Sequence, residues 1–227
     1  MLARTLGALT VLSLTTTLSA NVMLTAQTRS VSASAGDAEG TVTNSTSINT
    51  AGPYDDTQTI THFGDFFGGG GTGNATQLSS VTPASISGTL HADGDGGGGV
   101  GTGFAGGTAS MVIDFTVAQP LDYTLSATMT APIGFNHAWI KLYGPDGLVI
   151  DEEIGEFLGN FGTADLTGPN ARTGTLEAGD YTLDVEASAS SIDFTTANTD
   201  LMISFIIPEP ASAALLGLAG IALTRRH

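Results

Sequence analysis

Met111-Val112-Ile113-Asp114-Phe115-Thr116-Val117 sets Met111, Ile113, Phe115 and Val117 at every second position, with Asp114 and Thr116 between them. Successive side chains of a strand point to opposite faces, so this pattern reads as a strand with one face in a core. Ala118-Gln119-Pro120 turns the chain, and Leu121, Tyr123, Leu125, Ala127 and Met129 resume the same period. Working outward, Trp139 to Tyr143 and Leu148 to Ile150 flank Gly144-Pro145-Asp146-Gly147, a tetrad suited to a type I turn and hence a hairpin. Tyr181, Leu183, Val185 and Ala187 alternate with polar residues, as do Leu201, Ile203, Phe205 and Ile207. Upstream, Ile86, Thr89 and Leu90 mark a short segment before Asp93-Gly94-Asp95, and Thr57 to Phe63 reads as the first strand. Outside the two ends no segment has a helical period. The expectation is all-β: an antiparallel, jelly-roll-like β-sandwich over residues 57–207. Tyr181 should sit in its core with the hydroxyl on a backbone partner.

Charge narrows the function classes. The chain carries 22 acidic residues and only 6 Lys and Arg, a net charge of −16. Between the two ends, twenty-one acids face only Arg29, Lys141 and Arg172, a net charge of −18. Such a surface repels nucleic acid and anionic lipid and attracts divalent cations or a cationic partner. There is no cysteine, which excludes disulfides, thiolate metal sites and cysteine nucleophiles.

The N-terminus has the layout of a secretory signal peptide: a positive start from Met1 to Arg4, an uncharged apolar stretch from Thr5 to Leu18, then small residues. Cleavage after Ala20 or Ala26 suits that layout; residues 1–26 are taken as the signal helix. Thr28 to Asn49 is rich in Ser, Thr and Ala with little alternation, and residues 27–56 are expected to form a flexible leader. Gly68 to Gly71 and Gly96 to Gly99, each with Thr-Gly close behind, read as long mobile surface loops.

At the other end, Pro208-Glu209-Pro210 precedes an apolar run from Ala211 to Leu223, then Arg225-Arg226. Thirteen helical residues reach only about 20 Å, against a hydrocarbon core of about 30 Å, so this short hydrophobic helix suits a transient signal better than a permanent anchor. The tripartite tail, residues 208–227, resembles the PEP-CTERM sorting signal of Gram-negative bacteria. The matching residues are Pro208, Glu209 and Pro210, the Ala/Leu/Gly-rich stretch, and Arg225 and Arg226. The resemblance covers about a tenth of the chain. It implies export by the general secretion machinery, transient residence in the inner membrane and removal of the tail by an exosortase. It further implies delivery to the cell surface or an exopolysaccharide matrix. Lys141 to Gly147 and Thr175 to Leu183 also resemble strands of jelly-roll domains of exported bacterial proteins, the pre-peptidase C-terminal type among them; no function is carried over from that likeness.

Candidate chemistry is sparse. His62, His91 and His137 lack a second histidine at ligand spacing, and no serine stands in a Gly-x-Ser-x-Gly elbow. Asp151, Glu152, Glu153 and Glu156 crowd one segment; a glycoside hydrolase would need two of them across one cleft, against the alternative of a solvated acidic loop. Asp93-Gly94-Asp95-Gly96 superficially resembles the opening of a calcium loop. Gly97 and Phe104 stand where further ligands belong, so a Gly-Asp-Gly turn competes with a calcium site at Asp93 and Asp95. Trp139 and Tyr143 could stack on a sugar ring, with core or hairpin packing as the alternative. The leading expectation is an exported, non-enzymatic surface or matrix protein without a cofactor. A carbohydrate-binding sandwich and, last, a glycan hydrolase stand behind it.

Overall fold

The computed structural model describes residues 21–37, 39–64, 69–97, 102–132, 134–155, 159–193 and 195–208. Of the expected signal helix over residues 1–26, residues 1–20 lie outside them, as do the tail beyond Pro208, Phe66, Phe67 and Glu156, whereas Val22 to Ala26 are strand and not helix. Among the described residues the chain is almost entirely strand: β1 (Val22–Gly36), β2 (Thr41–Ile48), β3 (Gly52–His62), β4 (Gly70–Thr82), β5 (Ser85–Gly97), β6 (Phe104–Val117), β7 (Leu121–Ala131), β8 (Phe135–Gly144), β9 (Gly147–Gly155), β10 (Gly162–Leu166), β11 (Arg172–Leu176), β12 (Gly179–Ile192) and β13 (Thr196–Ile206). They form two antiparallel sheets. Sheet A runs β2-β1-β6-β12-β8-β9, and sheet B runs β10-β7-β13-β5-β4-β3 with β11 also on β7. β10 and β11 pair with successive halves of β7, separated by a 3-10 turn at Gly168–Asn170.

The alternation read from the sequence is the alternation that fills the core. Met111, Ile113, Phe115 and Val117 of β6, Leu125, Ala127 and Met129 of β7, Leu183, Val185 and Ala187 of β12, and Leu201, Ile203 and Phe205 of β13 are all buried between the sheets. Phe115 stacks on Tyr181 with ring centroids 5.5 Å apart, and Phe205 lies against both Phe115 and Tyr123. Tyr181 is buried as expected, and its hydroxyl donates to the Glu177 carbonyl at 2.9 Å. The hairpin is also present: β8 and β9 pair down to Gly144 opposite Gly147, which takes φ 112°, a left-handed value that glycine adopts without strain.

Two expectations fail, for related reasons. Residues 27–56, expected as a loose leader, are strand: most of β1, all of β2 and the start of β3. β1 alternates Val31, Ala33 and Ala35 inward with Ser30, Ser32 and Ser34 outward, a contrast too small to stand out in a Ser/Ala-rich stretch. Gly70, Gly71, Gly96 and Gly97 of the two blocks are likewise strand, not free loops: Gly70 pairs with Gly97 and Gly71 with Gly96, across β4 and β5. Here the sheets approach until their backbones touch. A Cβ on Gly73 would overlap the carbonyl oxygens of Ser34 and Gly106, and one on Gly107 would overlap that of Asn74. Glycine is used where another backbone comes this close.

The sandwich is therefore a wedge. One pole holds Phe115, Tyr123, Tyr181 and Phe205; toward the other, Ala92, Ala189 and Ala197 form a separate, small apolar cluster. β1 enters at the broad pole, where Val22 faces Val117, and β13 leaves there, where the Ile207 amide donates to the Ala84 carbonyl at 3.0 Å.

Candidate functional site

The outer face of sheet A carries the densest chemistry. In β8 the buried positions are Asn136, Ala138, Ile140 and Leu142, so Phe135, His137, Trp139, Lys141 and Tyr143 all point outward in one row. The row runs along the wedge, from Phe135 opposite Ser190 near the narrow pole to Tyr143 opposite Thr182 near the broad one. Neither Trp139 nor Tyr143 packs in the core; Tyr143 is 41 % exposed. Of the competing expectation, core or hairpin packing, the core half is thus corrected. Lys141, which shares their parity, was the sequence signal for the outward face.

Carboxylates flank the row from both neighbouring strands. Trp139 lies opposite Glu186 of β12 and Glu153 of β9, and Lys141 lies opposite Asp184 and Asp151. His137 stacks on Trp139 with ring centroids 4.8 Å apart and planes 5° from parallel, and its Nε2 lies 3.0 Å from Glu186. The Trp139 indole N–H donates to Asp184 at 3.3 Å. Lys141 Nζ sits 3.0 Å from Glu153 and 5.3 Å from the Trp139 ring centroid. The hydrogen bond to Glu153, opposed by some burial and helped by the charge of Asp151, holds the Lys141 pKa above its ordinary value. The ammonium is therefore fully charged where it meets the ring.

The same strand geometry splits the acidic cluster. Asp151 and Glu153 lie on the outer face, whereas Glu152 turns the other way and pairs with Arg172 of β11, tying the sheet edges together. Glu152 and Glu153 therefore do not face one cleft. Arg172 is held above its usual range by that Glu152 hydrogen bond.

Asp93 and Asp95 lie within β5, not in a turn, and face outward from sheet B. Asp93 accepts from Asn74 at 3.1 Å and lies 3.0 Å from His91 Nε2, while Asp200 of β13 lies 2.7 Å from His91 Nδ1. Burial works against a charge on His91, but the hydrogen bonds to Asp200 and Asp93 outweigh it and raise the pKa. The turn expectation is corrected, because β4 and β13 hydrogen-bond this segment on both sides. Among the described residues no three His, Cys, Asp or Glu side chains are placed to hold a metal ion. Elsewhere on sheet B a shallow groove of about 450 Å³ is lined by small hydroxyl side chains with Leu78 and Met202. It offers neither a charge nor a ring.

Nothing in the residue pattern around Arg29 marks its place: it is wholly buried between the sheets. Its Nη1 donates to the Gly52 carbonyl at 2.8 Å and to Ser79 at 3.3 Å, its Nη2 donates to the Thr50 carbonyl, and its guanidinium lies 5.4 Å from the Tyr54 ring centroid. Burial and then the charge of Asp56 push the Tyr54 hydroxyl up to about 12. These partners belong to β3, β4 and the β2–β3 connection, so Arg29 is a bolt between layers.

No protein-family model matches the chain, and no curated protein is significantly similar to it. No helix among the described residues is long and apolar enough to cross a membrane.

Proposed function

We propose that this chain is an exported, non-enzymatic protein of the cell surface or extracellular matrix whose β-sandwich binds polysaccharide on the outer face of sheet A. The observation that carries the binding reading is the outward row on β8, in which Trp139 and Tyr143 stand two strand repeats apart beside His137 and Lys141. Aromatic side chains on a sheet face supply apolar area with little conformational entropy to lose, and flanking carboxylates supply hydrogen-bond acceptors for sugar hydroxyls. Their opposition across β9 and β12 supports a ligand laid along the strands. The finer wiring we propose is jelly-roll-like, supported by a chain that crosses between sheets from β2 to β3, β5 to β6, β6 to β7, β7 to β8, β9 to β10, β11 to β12 and β12 to β13.

Delivery rests on the sequence of the two ends. The PEP-CTERM resemblance of Pro208, Glu209, Pro210, Arg225 and Arg226 supports tail removal by an exosortase after passage through the secretion machinery and the inner membrane. Two experiments separate the halves of the reading. Replacing Pro208, Glu209 and Pro210 by alanine in an exosortase-containing host should leave the full-size chain in the membrane fraction; normal size and release would overturn the sorting assignment. Retention on extracellular polysaccharide should fall with Trp139→Ala while the far-ultraviolet circular dichroism is unchanged; undiminished retention would overturn the binding face.

A further inference from the structure

Resting on the polysaccharide-binding reading, the geometry of β8 points to the kind of sugar. Lys141 is the only lysine or arginine between Arg29 and Arg172, and it does not project freely into solvent. Its ammonium is seated over the Trp139 ring and against Glu153, with Asp151 directly opposite on β9. An ammonium over an aromatic face gains from the ring quadrupole, and one against a carboxylate gains a charge-assisted hydrogen bond. The protein thus fills, with its own side chain, a subsite made of one indole face and two carboxylates. His137, two residues before Trp139 on β8, stacks on the indole, and Lys141, two residues after it, is the contact that a ligand ammonium can displace.

We infer that this subsite takes the primary ammonium of an amino sugar, and that the ligand of this face is a hexosamine polymer with free, non-acylated amines, whose ammonium displaces that of Lys141. Charge supports the same occupant. Asp151, Glu153, Asp184 and Glu186 surround the row on both sides, and β6 adds Asp114 on the same outer face. A uronic acid polymer would be repelled by these groups, and a neutral polymer has no charge with which to replace the Lys141 ammonium among them. The lysine stem is flexible, so its head can swing aside while the methylenes stay on the sheet. Lys141 then acts as a resident competitor that keeps the carboxylates paired when no ligand is present.

The test is calorimetric titration of the full chain with three tetrasaccharides: glucosamine, N-acetylglucosamine and galacturonate. Glucosamine should bind at least about tenfold more tightly than the other two. Glu153→Gln should weaken it about tenfold, in line with loss of a charged hydrogen bond. Asp55→Asn, which removes an equal charge from β3 on the other sheet, should leave it unchanged. Lys141→Met keeps the stem but removes the competitor and should strengthen glucosamine binding several-fold. Equal losses for Glu153→Gln and Asp55→Asn would reduce the effect to bulk charge and overturn the subsite. Weaker binding by Lys141→Met would overturn it too, by making the lysine a ligand contact. Preference for the N-acetylated tetramer, abolished by Trp139→Ala, would overturn the ammonium assignment and leave the polysaccharide reading standing. Failure of all three sugars to bind would remove both.

Discussion

Arg29 shows how much of this sandwich rests on single side chains. A guanidinium in the core without a carboxylate is tolerated because its planar fork meets the Gly52 and Thr50 carbonyls at once, with Tyr54 beneath. Burial lowers its pKa, though an arginine stays charged at any ordinary pH. Gln77 belongs to the same polar layer. With its amide nitrogen turned toward sheet A, it donates to the Ser30 and Ser110 carbonyls at 3.1 and 3.0 Å and accepts from Ser79. Arg29→Lys offers a point charge that cannot reproduce the fork, so stability should fall by about 1–3 kcal/mol, read from the urea midpoint. An unchanged midpoint would show that the fork contributes nothing. Tyr181→Phe should cost about 1 kcal/mol through the lost bond to Glu177, without disturbing the stacking on Phe115. His91 gives a pH signature. Because its folded pKa is raised above 6.5, its contribution is complete below that value and is lost as pH climbs through the folded value. Melting temperature should therefore drop as pH rises above about 6.5 by an increment that His91→Asn lacks.

At the scale of strands, what the sequence revealed depended on side-chain size. β6, β7, β12 and β13 alternate large apolar residues with polar ones, and their inward faces can be read directly. Toward the narrow pole β1 and β4 set Ala33, Ala35, Gly71, Gly73 and Ala75 inward against Ser32, Ser34, Thr72, Asn74 and Thr76 outward, so the same period is present with almost no hydropathy contrast. Glycine blocks look like loops to any reading based on propensity; only the facing sheet explains them. The outward row on β8 was legible in part, since Lys141 fixes the parity of Trp139 and Tyr143, whereas the flanking carboxylates depend on register with β9 and β12. β1 also bears on export. Cleavage after Ala26 would remove Val22 and Leu24, which face Val117 and Phe115, while cleavage after Ala20 leaves the strand whole. N-terminal sequencing of the exported protein should begin at Asn21; a start at Gln27 would mean the sandwich forms without the first part of β1. Gly107→Ala should be severely destabilising, because its new methyl meets the Asn74 backbone, which cannot yield as a flexible side chain can.

For the whole molecule, the wedge has a direction. Both ends of the described chain lie at the broad pole, so a precursor held by its tail would carry the narrow pole away from the bilayer and the β8 row upright between them. The cysteine-free chain makes this measurable. Thr124 and Thr130 both face outward on β7, about 20 Å apart along the strand, with Thr124 toward the broad pole. A fluorophore on a single cysteine at Thr124 should be quenched by spin-labelled lipid in the unprocessed precursor, and one at Thr130 far less; equal quenching would contradict the orientation. The taper has a further consequence for how the molecule comes apart. Burial of large side chains supplies most of a sandwich's cohesion, and toward the narrow pole the separate apolar cluster is three alanines. Amides of Ala33 to Gly36 and Gly94 to Gly97 should exchange with deuterium well before those around Phe115 and Phe205. Thermal opening would then start at the thin end and travel toward the broad one, leaving the last cooperative unit where the two ends of the described chain come together.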